Sequence, residues 1–467
     1  MTAAVSDRLE HRAQRLAAHP RFWDETRETQ PLEERKKLIL ERIQKQIAYA
    51  YEGLPFYRKL YDRHGVKPSD IRTMEDFTQR VPVVTKQMLR DAQAEYPPFG
   101  SYSNTPPEQI ARIYGSSGTT GVPTLYAISK SDWARATEAQ AMAIWAMGVR
   151  PGDVVHFVFP FGMFIGGWAI MAGVERVGAT VFPVGAADSK RHIDLIQQLR
   201  PTVLAGTPSY VLHLADVARS IGVNLRSSSV HTLIVGGEPG GTVPGSVAAI
   251  RGGWGDDIIV CDTGNTSECF PTQMNSSCDQ GQGVHVFEDE VYLETVDPDD
   301  TRCRAPDGEF GATVYTTLWR ESQPMIRFFA ADRARLVHGT CTCGRTYPRL
   351  PEGMIGRLDD MLLVRGANVY PSAIEGALRQ VPGVGAEYRI VIERKGALDE
   401  LRLQVEPDAE WTKLQTADAH ALLAQSIVER LRREIGLRVG VEVVAPGTFE
   451  KMLFKARRVI DRRPAER

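Results

Sequence analysis

The sequence predicts an α/β protein: a large N-terminal domain of parallel or mixed sheets flanked by helices, followed by a small α+β C-terminal domain. Three observations predict it. Short apolar runs alternate with segments of helical spacing through the middle of the chain. The last hundred residues change to longer strand-like patterns around one amphipathic helix. A chain of 467 residues exceeds one core at about 150 residues per domain.

Residues 32–51 read as a helix, because Leu32, Leu38, Ile39, Ile43, Ile47 and Tyr51 fall largely on one stripe. The runs at 154–159, 180–184, 202–205, 232–235 and 257–260 are continuously apolar, with helical spacing at 188–199 and 209–221. Such runs belong to a parallel sheet covered on both faces. Ligands of such sheets lie beyond the carboxyl ends of the strands. Gly236-Gly237-Glu238-Pro239 and Asp262-Thr263-Gly264-Asn265-Thr266-Ser267-Glu268 sit at those ends. Later, 388–394 and 401–406 are strand-like, 418–435 is an amphipathic helix closed by Gly436, and 441–444 is a further strand. The change of pattern puts the boundary near Gly356–Asp360, giving domains 1–357 and 358–467.

Composition removes several classes of function. Hydrophobic residues make up 43% and charged residues 24%, as in ordinary globular proteins. With 56 basic and 58 acidic residues the net charge is −2, so no global field favours nucleic acid or anionic membrane. The first 20 residues are charged and do not form a signal peptide. The longest uncharged apolar stretch, 163–174, is about half of a bilayer span. Six cysteines in this length do not make a disulfide framework, which points to a reducing, cytoplasmic setting.

The segment Tyr114-Gly-Ser-Ser-Gly-Thr-Thr-Gly-Val-Pro123 has the chemistry of an anion cradle. Its glycines permit positive φ angles that converge backbone N–H groups, and Ser116, Ser117, Thr119 and Thr120 add hydroxyl donors. The same composition suits a solvated linker. It lacks the Gly-Lys-Ser/Thr ending of a Walker loop, which disfavours a P-loop nucleotidase.

Four segments in order resemble one superfamily: the cradle at 115–121, Thr266-Ser267-Glu268, Gly356-Arg357-Leu358-Asp359-Asp360-Met361-Leu362, and Lys455-Ala-Arg-Arg-Val-Ile-Asp461. Together they resemble the adenylate-forming enzymes, the acyl-CoA synthetases and their relatives. Thr207-Pro208-Ser209-Tyr210 and Arg365-Gly-Ala-Asn-Val-Tyr-Pro371 resemble the phenylacetate–CoA ligase branch. The resemblance implies a ligase of secondary metabolism that joins ATP, a small aromatic carboxylic acid and coenzyme A. It implies nucleotide contacts at Ser116, Ser117, Gly118, Thr119, Thr120, Gly121, Gly237, Glu238, Pro239, Asp262, Asn265, Thr266, Asp332 and Arg357. Glu268 would hold Mg2+, Lys455 would neutralise the reacting oxygens, Asp359 would be the hinge, and Gly366 would line the coenzyme A tunnel. Each has a plainer reading: Glu268 as a solvated loop acid, Lys455 as surface charge, Asp332 as an ion pair with Arg333. The chain departs from the family's pattern at Gly264, where an aromatic usually stacks on adenine, at Val122, and at Ala330 and Ala331.

Cys341-Thr-Cys343, with Cys278 and His285, has the composition of a structural zinc site, which some relatives in this branch carry. Buried free thiols are the other reading, and His338 is an alternative ligand. Cys261, Cys269 and Cys303 read as packing or surface residues. The acyl pocket is expected between 161–168 and the strand ends. Phe161, Met163, Phe164 and Trp168 would offer flat apolar contact, and Gly166, Gly167, Gly236, Gly237 and Gly264 would offer space. Transfer to a carrier protein, amine or hydroxyl, a non-catalytic nucleotide-binding protein, and a homodimer are all compatible with the sequence.

Overall fold

The computed structural model describes residues 3–116, 123–159, 161–163, 165–264, 266–269, 275–358, 362–364, 367–395, 398–414, 417–435, 439–449 and 458–462. Its centre is an eight-stranded sheet. Five parallel strands run in the order Ile259–Gly264, Thr232–Gly236, Val203–Gly206, Val154–Phe157, Thr180–Phe182. Their side chains alternate between two cores. Leu204, Leu233, Val235 and Val260 face the helices Ser189–Leu199, Pro208–Ser220 and Pro244–Trp254. Val203, Ala205, Ile234 and Cys261 face Lys130–Ala146 and Ile165–Arg176. The continuous apolar runs therefore reflect burial on both faces.

The sheet then turns antiparallel through Asn275–Ser277, Val284–Val286 and Arg349–Leu350. These short strands carry no sustained apolar pattern and were not expected individually. The strand expected at 257–260 begins at Ile259 and runs on to Gly264. Gly255, at φ +123°, makes a turn that Arg8 clamps by its ion pair with Asp257. Asp262, Thr263 and Gly264 thus belong to the strand rather than to the loop after it.

A second, antiparallel sheet orders Val291–Val296, Phe310–Thr317, Phe328–Arg335 and Gly356–Arg357. It shares a core with the helix Leu32–Gly53, whose Ile39, Ile43 and Ile47 are buried at i, i+4 spacing. Near the C-terminus, Gly440–Val443, Leu398–Pro407, Val384–Lys395 and Val459–Asp461 form a third sheet. It packs on Pro371–Leu378 and Ala417–Ile435 around its own core of Leu378, Ile390, Leu403, Leu423 and Ile427.

Candidate active site

The cradle is carried by an antiparallel hairpin, Ile110–Gly115 with Leu125–Ser129. Ser116, buried at its base, donates its N–H to the Thr124 carbonyl at 3.0 Å. Ser117, Gly118, Thr119, Thr120 and Gly121 lie outside the described residues, as do Phe164, Asn265, Asp359, Gly366 and Lys455. The Gly115 N–H donates to the Met163 carbonyl at 3.1 Å, and a Cβ on Gly115 would stand 3.2 Å from Met163 Cε. The candidate acyl segment is therefore stitched to the base of the cradle.

Glu268 is not a solvated loop acid. It is 5% exposed, and Lys86 Nζ stands 2.9 Å from its carboxylate. Lys86 opens the helix Lys86–Glu95, whose N-terminus is capped by Thr85. The Glu268 carbonyl accepts from Arg320, itself buried, and buried Tyr102 and Tyr126 lie within reach of the Glu268 charge. A carboxylate so far from water is a strong cation site. Lys86 gave no sequence signal: a lysine at a helix start reads as surface charge, and 182 positions separate it from its partner. Thr266 forms the turn before Glu268, its carbonyl accepting the Cys269 N–H at 3.2 Å. Burial lifts the Cys269 thiol to about 12, so it stays protonated.

Asp332 is nearly buried on the strand Phe328–Arg335, opposite Arg357 in the register. Its charge bears on Tyr315 and on Cys269, the neighbour of Glu268. The preceding Ala331 has φ +59°, and its carbonyl accepts the Leu358 N–H at 2.7 Å. An alanine in the left-handed region is strained, and here it accompanies a register shift between this strand and Phe310–Thr317. Unbroken alternation along the strand puts Asp332 on its buried face. Arg333 instead lies over the Phe310 and Tyr370 rings, 4.4 and 5.4 Å from their centroids.

At the ends of the parallel strands, Gly237 takes φ +88° and turns the chain. Glu238 then accepts the Ser209 N–H at 2.8 Å, at the N-terminus of the helix capped by Thr207. Burial pushes the Glu238 carboxyl upward, and repulsion from Glu375 adds to it. Pro239 follows in the same turn. Asp262 lies beside Thr242, whose hydroxyl donates to its carboxylate at 3.3 Å, and burial lifts its pKa to about 7.

Two expected pocket glycines are filled. A Cβ on Gly236 would stand 2.4 Å from the Thr263 carbonyl oxygen, so Gly236 serves the approach of two strands and leaves no room for an acyl group. A Cβ on Gly264 would stand 2.3 Å from Met354 Cε, so Met354 occupies the space left by the missing side chain. Gly166 is open, with nothing within 4 Å of its Cβ position. Phe161 is half-buried, its ring centroid 5.0 Å from Trp168 and 5.9 Å from Phe157.

Cys278, His285, Cys341 and Cys343 come together, all buried, with their ligand atoms within 4.8 Å of one another. Cys343 Sγ is 3.5 Å from His285 Nε2 and Cys278 Sγ is 4.0 Å from Cys341 Sγ. Hydrogen bonding from Cys278 pulls the Cys341 and Cys343 thiols down, toward the thiolate form that binds metals. His338 points elsewhere, with its Nδ1 2.6 Å from Asp307. Arg21 caps the loop by donating to the carbonyls of Thr342 and Cys343.

The chain matches the AMP-binding enzyme family over residues 7–311 and the AMP-binding enzyme C-terminal domain over 366–463. It is 37% identical to a phenylacetate–coenzyme A ligase of Thermus thermophilus, over 93% of this chain and 98% of that one. It is 32% identical to the phenylacetate–coenzyme A ligase of Escherichia coli, over 93% and 97%. A 2-hydroxyisobutyryl-CoA ligase in its postadenylation state superposes with a TM-score of 0.89 at 42% identity, over 95% and 93%. The same relative in its thioesterification state gives 0.72, with the same identity and coverage. The chain belongs to the AMP-binding, adenylate-forming enzyme family, in its phenylacetate–CoA ligase-like branch, and is an AMP-forming acid–CoA ligase.

Proposed function

We propose that this ligase activates a one-ring aromatic carboxylic acid of the benzoate, anthranilate or phenylacetate type. The acid's carboxylate attacks the α-phosphorus of ATP, and pyrophosphate leaves. The acyl-adenylate then passes its acyl group to the thiol of coenzyme A, releasing AMP. The observation that carries the aromatic reading is the Phe161–Trp168 pair beside the open flank of Gly166, hydrogen-bonded through Met163 to the base of the cradle. Flat rings recognise flat rings by offset and edge contacts.

The acid needs no base, since a carboxylate with a pKa near 4 is ionised at pH 7. The barrier is the meeting of two anions, so catalysis is positioning plus neutralisation. In this reading the 115–121 loop holds the outer phosphates. Glu268 fits Mg2+, a hard cation that takes carboxylate oxygens and would neutralise the triphosphate. Lys86 pairs with that carboxylate and would yield it to the metal. Asp332 accepts from the ribose hydroxyls and Arg357 contacts the nucleotide. Asp262, Gly237, Glu238 and Pro239 shape the nucleotide pocket, and Met354 covers the base where an aromatic would otherwise stack. Lys455 supplies the second ammonium, Asp359 the hinge between domains 1–357 and 358–467, and Gly366 a passage for the thiol. The three cysteines and His285 fit a closed, structural zinc.

The 42% identity to a 2-hydroxyisobutyryl-CoA ligase favours a second reading, a short branched hydroxy acid. A pyrophosphate-release screen over benzoate, salicylate, anthranilate, phenylacetate, 2-hydroxyisobutyrate and octanoate separates them. The aromatic reading expects a one-ring acid to lead in kcat/KM by tenfold or more. A lead for 2-hydroxyisobutyrate, or equal turnover of octanoate, refutes it. Pyrophosphate release without thioester would point to a carrier protein, amine or hydroxyl as acceptor.

A further inference from the structure

Arg320 stands in the segment between the strands Phe310–Thr317 and Phe328–Arg335 and is only 2% exposed. A guanidinium this deep is costly unless its charge and its donors are matched. Among the described residues no carboxylate lies within ion-pair distance of it, and its Nε and Nη2 have no hydrogen-bond partner. Its Nη1 donates to the main-chain carbonyl of Glu268.

The segment around Arg320 is bound to the hairpin that carries the cradle. Asp132, in the first turn of the helix that follows the hairpin, accepts the N–H groups of Glu321 and Ser322 at 3.0 and 2.9 Å. Gln323 accepts the Ala127 N–H of the strand Leu125–Ser129 at 2.6 Å and donates to the Phe99 carbonyl at 3.0 Å. Gln46, from the helix Leu32–Gly53, donates to the Arg320 carbonyl at 3.0 Å. The main chain at Arg320 is thus fixed, and its guanidinium in turn fixes the main chain at Glu268. Well-packed apolar residues in place of buried charge are often neutral for stability. A guanidinium kept here with two unpartnered donors points to a task other than stability.

We propose that Arg320 is a positioning residue for the metal-bearing carboxylate: it holds the Glu268 turn against the cradle hairpin, so that Mg2+ and the triphosphate are received in one geometry. The inference rests on Glu268 as the Mg2+ ligand of the reading above. A ligating carboxylate is aimed by what holds it, and partners one step out from a metal change its affinity by about 10- to 100-fold. Arg320 acts through the Glu268 main chain and need touch neither metal nor nucleotide.

ATP binding in the absence of any acid tests it, by titration calorimetry on full-length chains, with Mg2+ and again with EDTA. Arg320→Met is expected to bind Mg2+–ATP about tenfold or more weakly than wild type, while metal-free ATP binds within about twofold. Its melting temperature is expected to stay within about 3 °C of wild type, since the apolar chain brings no unpaired donor into the core. Arg320→Lys keeps the charge without the fork and is expected to recover part of the affinity. Should Arg320→Met fail to fold, Gln46→Leu, which frees the Arg320 main chain, is expected to show the same Mg2+-dependent weakening in smaller measure. Unchanged Mg2+–ATP binding in the variant that folds overturns the proposal. So does equal weakening with and without Mg2+, which marks Arg320 as a structural residue. A wild-type affinity indifferent to Mg2+ overturns the Glu268 reading and this inference with it. A Mg2+-dependent wild type with an insensitive Arg320 overturns this inference alone.

Discussion

Half-buried Lys86 and buried Glu268 form an ion pair at 2.9 Å that neither residue's neighbours in sequence announce. In the proposed reaction, where Glu268 would take Mg2+, the ammonium keeps that buried charge compensated until the metal does so. Glu268→Gln is expected to lower kcat for pyrophosphate release by on the order of 10²-fold, as loss of a charge-stabilising group does. Lys86→Ala is expected to cost less, about tenfold, and to change the Mg2+ concentration at half-maximal rate. Steady-state kinetics over a Mg2+ series reads both, and a Lys86→Ala rate and Mg2+ curve equal to wild type would remove the lysine from the site. Asp262 predicts a pH effect. Its pKa rises from 3.8 to about 7 on burial, so the folded chain keeps a proton that the unfolded chain has lost between those values. Stability from this group is full below about pH 4 and is lost as pH rises through 7. Thermal melts from pH 5 to 8 should fall less steeply for Asp262→Asn than for wild type. Some slope remains, because burial also lifts Glu288 to about 7. Identical slopes would contradict the burial of Asp262.

At the scale of elements, local chemistry was legible and tertiary placement was not. The helices at 32–51 and 418–435 carried their own periodicity and the parallel strands their continuous apolar runs, and each forms within a few residues of its expected ends. The antiparallel strands Asn275–Ser277, Val284–Val286 and Arg349–Leu350 did not, because two or three residues hold no period. Gly236 shows the same limit. A glycine at a strand end reads as space for a ligand, yet the space belongs to the Thr263 carbonyl of the next strand. The set Cys278, His285, Cys341 and Cys343 was named from its composition, and the sheet brings its members, 58 and 63 positions apart, together. Elemental analysis of the purified chain is expected to give about one zinc per chain. Cys341→Ser should remove it and lower the melting temperature by about 5 °C or more, since a structural zinc contributes to folding directly. Pyrophosphate release at low temperature should persist. A zinc-free wild type with the same melting temperature as the variant would refute the site.

For the whole molecule, the order of the motifs carried the family and the structure supplies the reason for their order. The 115–116 hairpin end, the Glu268 turn and the Asp332 bulge belong to different elements, and the fold connects the last two through Cys269 and Tyr315. What the sequence could not express is which distant segments meet. Arg320 reaches the Glu268 turn across 52 positions, and an arginine between two strands alone looks like surface charge. In the proposed reaction a ring carboxylate meets the α-phosphorus of ATP before any thiol is involved. Mass spectrometry of the enzyme with ATP, Mg2+ and phenylacetate or benzoate, first without and then with coenzyme A, tests it most directly. The expected result is aryl-AMP and pyrophosphate in the first stage, then aryl-CoA and AMP in the second. ADP in place of AMP, or thioester formed with no adenylate detectable in the first stage, would contradict it.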